Sequence, residues 1–176
     1  MSLTLAKDAP SQFSLIQTKG TLDWAYPGFI LASTAAAMDK DVELFFTFYG
    51  LQCILKQTQH LKISPLGNPA MVIKSPKGPD WFKRMDWNKM LPGLVWGLPG
   101  ASSLATWGFK QQLLAQGQVP LEELRELCLE LGVKFTACQM SVDLMGYDST
   151  DFMHGVDFAG AATYFANTPN TQSLLI

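Results

Sequence analysis

Cys138 closes a strand-like run, Val133-Lys134-Phe135-Thr136-Ala137-Cys138, and is followed directly by Gln139, Met140 and Ser141. Val133, Phe135 and Ala137 alternate with Lys134 and Thr136, and a helix-like segment ending at Gly132 precedes them. The pattern therefore predicts helix, turn, strand and cysteine. In open parallel α/β sheets, ligands and reactive groups collect at the carboxyl edge of the strands, where N–H groups of the next turn favour a thiolate over a thiol. Cys138 is accordingly the principal candidate for thiol chemistry.

The other two cysteines have different settings. Cys128 falls on the leucine stripe of an amphipathic segment and is expected to be a small buried hydrophobe. Cys53 follows a strand-like run and Gly50, within the first turn of a short predicted helix. Helix N–H groups could lower its pKa there, or it could simply pack between Gln52 and Ile54, so it is the weaker candidate. Around Cys138, Gln139 and Ser141 could donate hydrogen bonds to a thiolate, and Met140, Leu144 and Met145 could shield it from water. Ser141 and Asp143 could equally cap a turn. His60 and His154 lie in polar or helix-end settings and suggest no Cys/His dyad.

Elements of alternating period must position that thiol. Residues 13–18 and 42–48 read as buried strands, and residues 22–38 between them as an almost uncharged helix with Ala25, Phe29, Ala32 and Ala36 on one face. Pro27 falls in its first turns. This is a βαβ unit with an expected right-handed crossover. Residues 50–59 suggest a short helix, residues 71–74 at most a short strand, and residues 109–115 a helix closed by Gly117. Pro120 starts a further helix with Leu121, Leu124, Leu127, Cys128 and Leu131 on one side, ended by Gly132. After Cys138 the pattern predicts a loop. Asp148 is then an N-cap for residues 149–154, with Tyr147 packing on Phe152 as a staple. A small-residue helix at 159–166 and an edge or terminal strand within 171–176 complete the chain.

Composition limits the function classes. The 176 residues suit one domain with a proper core, read as 1–176 with a Trp/Pro/Gly-rich loop insertion at about 76–108. A formal charge of −2, with Lys and Arg scattered, argues against nucleic-acid binding. Three cysteines at wide spacing fit neither a disulfide framework nor a zinc site, which points to a reducing, cytoplasmic setting. The amino terminus lacks the apolar stretch of a secretory signal. Residues 90–109 carry no charge, a length that would just span a bilayer, but Pro92, Pro99 and four glycines break a helix there. That run, with Trp81, Trp87, Trp96 and Trp107 in or just before it, reads first as an oligomer contact or active-site lid. Ordinary core comes next, and membrane contact last.

The segment Ala137-Cys138-Gln139-Met140-Ser141-Val142-Asp143-Leu144-Met145-Gly146 resembles the Cys-x-Met-Ser-Met-Asp-Leu-Met-Gly signature of the DsrE/DsrF-like family, in its peroxiredoxin-like DsrE branch. Gly20-Thr21-Leu22-Asp23, residues 46–51, residues 120–124 and Gly160 with residues 161–165 resemble that branch in the same order. Val142 stands where the branch usually has Met, and the run from Trp81 to Gly108 replaces a Met/Gly-rich loop. The resemblance implies a three-layer Rossmann-like (flavodoxin-like) α/β sandwich with a mostly parallel sheet, assembled as a homo-oligomer. It implies an intracellular sulfur carrier or sulfurtransferase that holds sulfur as a persulfide on Cys138 and passes it to a small sulfur-carrier protein. A low-molecular-weight persulfide could serve as donor.

Such transfer calls for one accessible thiolate and no metal, flavin or other cofactor. Two alternatives come from other classes. One is a thiol-disulfide redox protein in which Cys53 and Cys138 cycle through a disulfide, which requires their Cα atoms to lie within about 7 Å. The other is a non-catalytic oligomeric module with the tryptophan-rich run as its contact surface.

Overall fold

Apolar residues that alternate along each central strand separate two unequal layers. The computed structural model describes residues 12–63, 78–85, 100–168 and 171–176. Five strands form one sheet in the order β4-β3-β2-β1-β5, every neighbouring pair parallel. They are β1 (Gln12–Gln17), β2 (Asp41–Phe46), β3 (Lys134–Cys138), β4 (Val156–Ala159) and β5 (Gln172–Leu175). Helices α1 (Leu22–Ala37), α2 (Asp80–Arg84), α3 (Ala101–Ala115), α4 (Leu121–Glu130), α5 (Gln139–Met145) and α6 (Ala161–Asn167) connect them, with 3-10 turns at Phe48–Ile54 and Ser149–Asp151.

On the first face Leu15, Leu44, Phe46, Phe135 and Ala137 meet the small and aromatic residues of α1, including Ala25, Phe29 and Ala32. Phe29, Phe46 and Phe135 form a ring cluster with centroids 5.6–5.9 Å apart. Leu121, Leu124 and Cys128 of α4 and Val142 of α5 extend this core. The charges of α4 lie on its outer side, except Arg125. That side chain is buried and donates to the carbonyls of Cys53 and Leu55 at 3.0 and 2.8 Å.

The second face is smaller. Phe45 and Cys138 pack with Ile16 against Tyr164, the one buried residue of α6. Tyr164 stacks on Phe45 at 4.5 Å between centroids, and its hydroxyl bonds Ser14. Beside α6 an open groove of about 350 Å³ is lined by Gln12, Asp41, Glu43, Lys134, Thr136 and Asp157, among others. Two of its carboxylates are engaged within the sheet, Asp41 with Lys134 at 3.4 Å and Glu43 with Thr136 at 2.7 Å.

Several expectations shift. The predicted loop after Cys138 is helix α5, entered without a connecting residue and closed by Gly146 at φ 72°. Helix α3 begins at Ala101 rather than at 109, and Asp80–Arg84 is helical. Of the anticipated 76–108 loop, residues 80–84 and 101–108 are helical, and residues 76–77 and 86–99, with Trp87 and Trp96, lie outside the described residues. The strand suggested at 71–74 also lies outside them. Residues 50–59 do not form an α-helix: a 3-10 turn ends at Ile54 and Leu55 is extended. Pro27 lies in the second turn of α1, where its missing N–H removes one helical hydrogen bond. Strand β4 has no counterpart in the sequence reading. The Asp148 box is present, with Asp148 accepting from Thr150 N–H and Asp151 accepting from Asp148 N–H, and Tyr147 meets Phe152 at 5.9 Å. Among the described residues no helix is long and apolar enough to cross a membrane.

Candidate functional site

Strand register brings the site together. Phe46 pairs with Ala137, so the residues that follow, Thr47 just past β2 and Cys138 at the end of β3, stand at the same carboxyl-edge level. Cys138 is the N-cap of α5, which puts Ser141 one turn along the helix and sends Val142 into the core. Ser141 has no exposed surface, and its Oγ shares a hydrogen bond of 2.9 Å with Thr47 Oγ1.

Backbone packing holds Thr47 in place. Its N–H donates to Gln17 O, and the Gly50 N–H donates to both Thr18 O and Thr47 O, each at 3.0 Å. The chain turns sharply at Phe48, whose φ of 50° is left-handed and costs a bulky residue about 1–2 kcal/mol. The turn lets Gly50 lie against the carbonyl of Gln17, and a Cβ there would stand 2.7 Å from that carbonyl carbon. Gly50→Ala is expected to lose about 3 kcal/mol in urea unfolding and to slow alkylation of Cys138 by displacing Thr47. A fully stable variant would show that the β1 and β2 ends are free to separate.

The three thiols differ in electrostatics as well as position. Burial pushes the Cys138 thiol up, but the Ser141 hydroxyl and N–H, the Thr47 hydroxyl and the Met140 N–H outweigh it and hold the thiol below its ordinary value. Neither N–H makes a capping hydrogen bond to the sulfur, so their pull acts as a field over longer range. Cys138 is only 3% exposed. Cys53 is fully buried in the large cluster, its Sγ donating to Lys19 O at 3.5 Å, and burial pushes it up to about 12 against the pull of Arg125. Cys128 is buried on α4 as expected, its Sγ 3.4 Å from Phe29 O, and burial pushes it too up to about 12.

The remaining candidates divide by side of α5. Gln139 and Asp143 are exposed and bond each other at 2.8 Å along the helix, and Met140 points to solvent at 65% exposure. With Leu144, Phe48 and Tyr49, Met140 leaves an apolar rim on the two elements that flank Cys138. His60 is exposed, and His154 pairs with Glu126 at 3.4 Å on the surface. Among the described residues no three His, Cys, Asp or Glu side chains converge as metal ligands. Thr47 was missed by sequence reasoning. Its signal was positional: it ends the strand that neighbours the cysteine strand.

Fold and site together define a parallel α/β protein that carries a cysteine beside a hydrogen-bonded hydroxyl pair, where a central strand passes into a helix. The chain belongs to the DsrE/DsrF/DrsH-like family, whose pattern matches residues 9–176. It is 49% identical over 155 residues to the sulfur carrier protein DsrE2 of Allochromatium vinosum, covering 88% of this chain and 90% of that protein. It is 27% identical over 157 residues to the uncharacterized protein YrkE of Bacillus subtilis, covering 88% and 89% of the two chains. The crystal structure of the ychN protein from E. coli aligns with a TM-score of 0.49 and 9% identity, over 94% of this chain and 98% of that one.

Proposed function

We propose that this chain is a sulfur carrier that holds sulfur as a persulfide on Cys138 and passes it to a small sulfur-carrier protein. The observation that carries the reading is the placement of the thiols: Cys138 stands at the carboxyl edge where β3 enters α5, beside the hydroxyl pair of Thr47 and Ser141, whereas Cys53 and Cys128 are sealed in the large core. The directions in which their surroundings push the three thiols agree with it. The named function of the Allochromatium relative supports it.

In loading, the Cys138 thiolate attacks the outer sulfur of a donor persulfide, the donor S–S bond breaks, and the donor leaves as a thiolate. In delivery, an acceptor thiolate attacks the outer sulfur now on Cys138, the new S–S bond breaks, and the Cys138 thiolate is regenerated. Neither step changes the net oxidation state, and neither needs a metal or flavin. The transferred atom stands about 2 Å beyond Sγ, so the cargo can reach an acceptor that the 3% exposed cysteine itself meets poorly. The apolar rim of Phe48, Tyr49, Met140 and Leu144 is the surface such an acceptor would meet first. In this reading the protein works in the cytoplasm as a homo-oligomer.

Incubation with a low-molecular-weight persulfide, followed by intact mass and peptide mapping, tests the proposal. One added sulfur atom is expected on the Cys138 peptide, and none in Cys138→Ala. Sulfur found elsewhere, or undiminished in the variant, rejects it.

A further inference from the structure

We propose that Thr47 is a positioning residue for Cys138: its hydroxyl, bonded to Ser141 Oγ, sets the orientation of a two-hydroxyl pair beside the buried sulfur, and the pair turns its dipoles with the charge on that sulfur. The purpose of the device rests on the sulfur-carrier reading; its test does not.

Hydrogen counting leads to this assignment. Thr47 and Ser141 bring one hydroxyl proton each, and their mutual bond of 2.9 Å uses one of the two. Only one proton is left for a third group. When Cys138 is a thiolate, which only accepts, Thr47 donates to Ser141 and Ser141 donates to the sulfur. When Cys138 is a thiol, S–H donates to Ser141 Oγ, Ser141 donates to Thr47 Oγ1, and the Thr47 proton turns toward solvent. Ionisation then passes the thiol proton to Ser141, the Ser141 proton to Thr47 and the Thr47 proton to water. One proton leaves, and each hydroxyl keeps one.

The burial pattern fits that direction of travel. Ser141 has no exposed surface and Cys138 almost none, while Thr47 is half-buried and forms the outer end. A hydroxyl at position 141 alone would face the sulfur with nothing to set its orientation. A polarised partner fixes it and strengthens its pull on the sulfur.

The backbone supports the same role independently. Phe48 adopts a left-handed conformation directly after Thr47, so Thr47 is the last extended residue of its strand and stays level with Cys138. Strain of this kind persists where the surroundings over-determine it. Here the surroundings are the Gly50 N–H bonds to Thr18 O and Thr47 O.

The experiment measures the rate of Cys138 alkylation against pH on the full chain, with peptide mapping, alongside urea unfolding. Thr47→Val keeps the branched shape and removes the hydroxyl. It is expected to move the midpoint up by about one pH unit and to slow labelling near neutrality about tenfold. Thr47→Ser is expected to restore the profile to within about twofold. An unshifted midpoint in Thr47→Val overturns the proposal, as does a shift that serine fails to reverse. If Thr47→Val does not fold, Thr47→Ala read against Thr47→Ser decides in the same way. Alkylation uses no sulfur donor, so a shifted profile together with absent sulfur loading rejects the carrier reading alone, and the reverse rejects only the role of Thr47.

Discussion

Iodoacetamide near pH 7 is expected to alkylate Cys138 at least about thirtyfold faster than Cys53 or Cys128 in the folded protein. Both slower thiols are pushed up to about 12, and Cys138 is held below 9.0. Three pH units of separation give Cys138 about a thousandfold more thiolate. A thiolate of higher pKa is intrinsically the stronger nucleophile, by roughly thirtyfold over the same interval, so ionisation leaves a net factor of about thirty. Access widens the gap, because Cys53 and Cys128 have no exposed surface at all. Labelling of Cys138 should fall as pH drops through its pKa, because protonation removes the nucleophile. In urea the three should label alike. Equal rates in the folded state would mean that the Thr47 and Ser141 hydroxyls do not act on the sulfur.

Phe135→Ala is expected to cost about 4 kcal/mol of stability by urea unfolding. Phe135 has no exposed surface and touches both Phe29 and Phe46, so truncation opens a cavity between α1 and the two central strands. Phe135→Leu should cost about 1.5 kcal/mol or less, because most of the volume remains. Phe135 points to the opposite face of the sheet from Cys138. The folded fraction of Phe135→Ala should therefore keep the alkylation preference for Cys138. A loss below about 1 kcal/mol would contradict the ring cluster. A lost preference would show that the first face, and not the edge, governs the thiol.

The central strands and the two long packing helices were legible because burial on a sheet face leaves period and composition behind. Val133 to Cys138, the run at 42–48 and the leucine stripe of α4 each carry that imprint. Strand β4 carries none. It has four residues on an edge, two of them exposed, and its sequence Val156-Asp157-Phe158-Ala159 shows no buried side to read. Helix α5 was hidden by its cap: a cysteine occupies the place where Ser, Thr, Asp or Asn would announce a start, and the helix has only seven residues. Gly100, left-handed before α3, and the uncharged residues that follow it masked the first two turns of that helix, whose second half at 109–115 is legible.

Within the site, Cys138 and Ser141 were visible because they adjoin in sequence. Of the two readings open for Cys53, helix-terminal thiol or packing residue, the structure gives the second: it is fully buried in the large core, with Arg125 bonded to its carbonyl. Thr47 requires knowledge of strand order, which local patterns do not contain. The residue that bonds Ser141 lies on another strand, and only the pairing of β2 with β3 makes them neighbours.

The hydrogen bond between Thr47 and Ser141 closes a span of 94 residues. A nascent chain in which β2 and β3 have not yet docked therefore carries an unremarkable thiol at position 138. The lowering of the Cys138 thiol arrives together with completion of the tertiary structure. The preference of labelling for Cys138 over Cys53 and Cys128 becomes, by the same token, a readout of how many molecules in a preparation have finished folding.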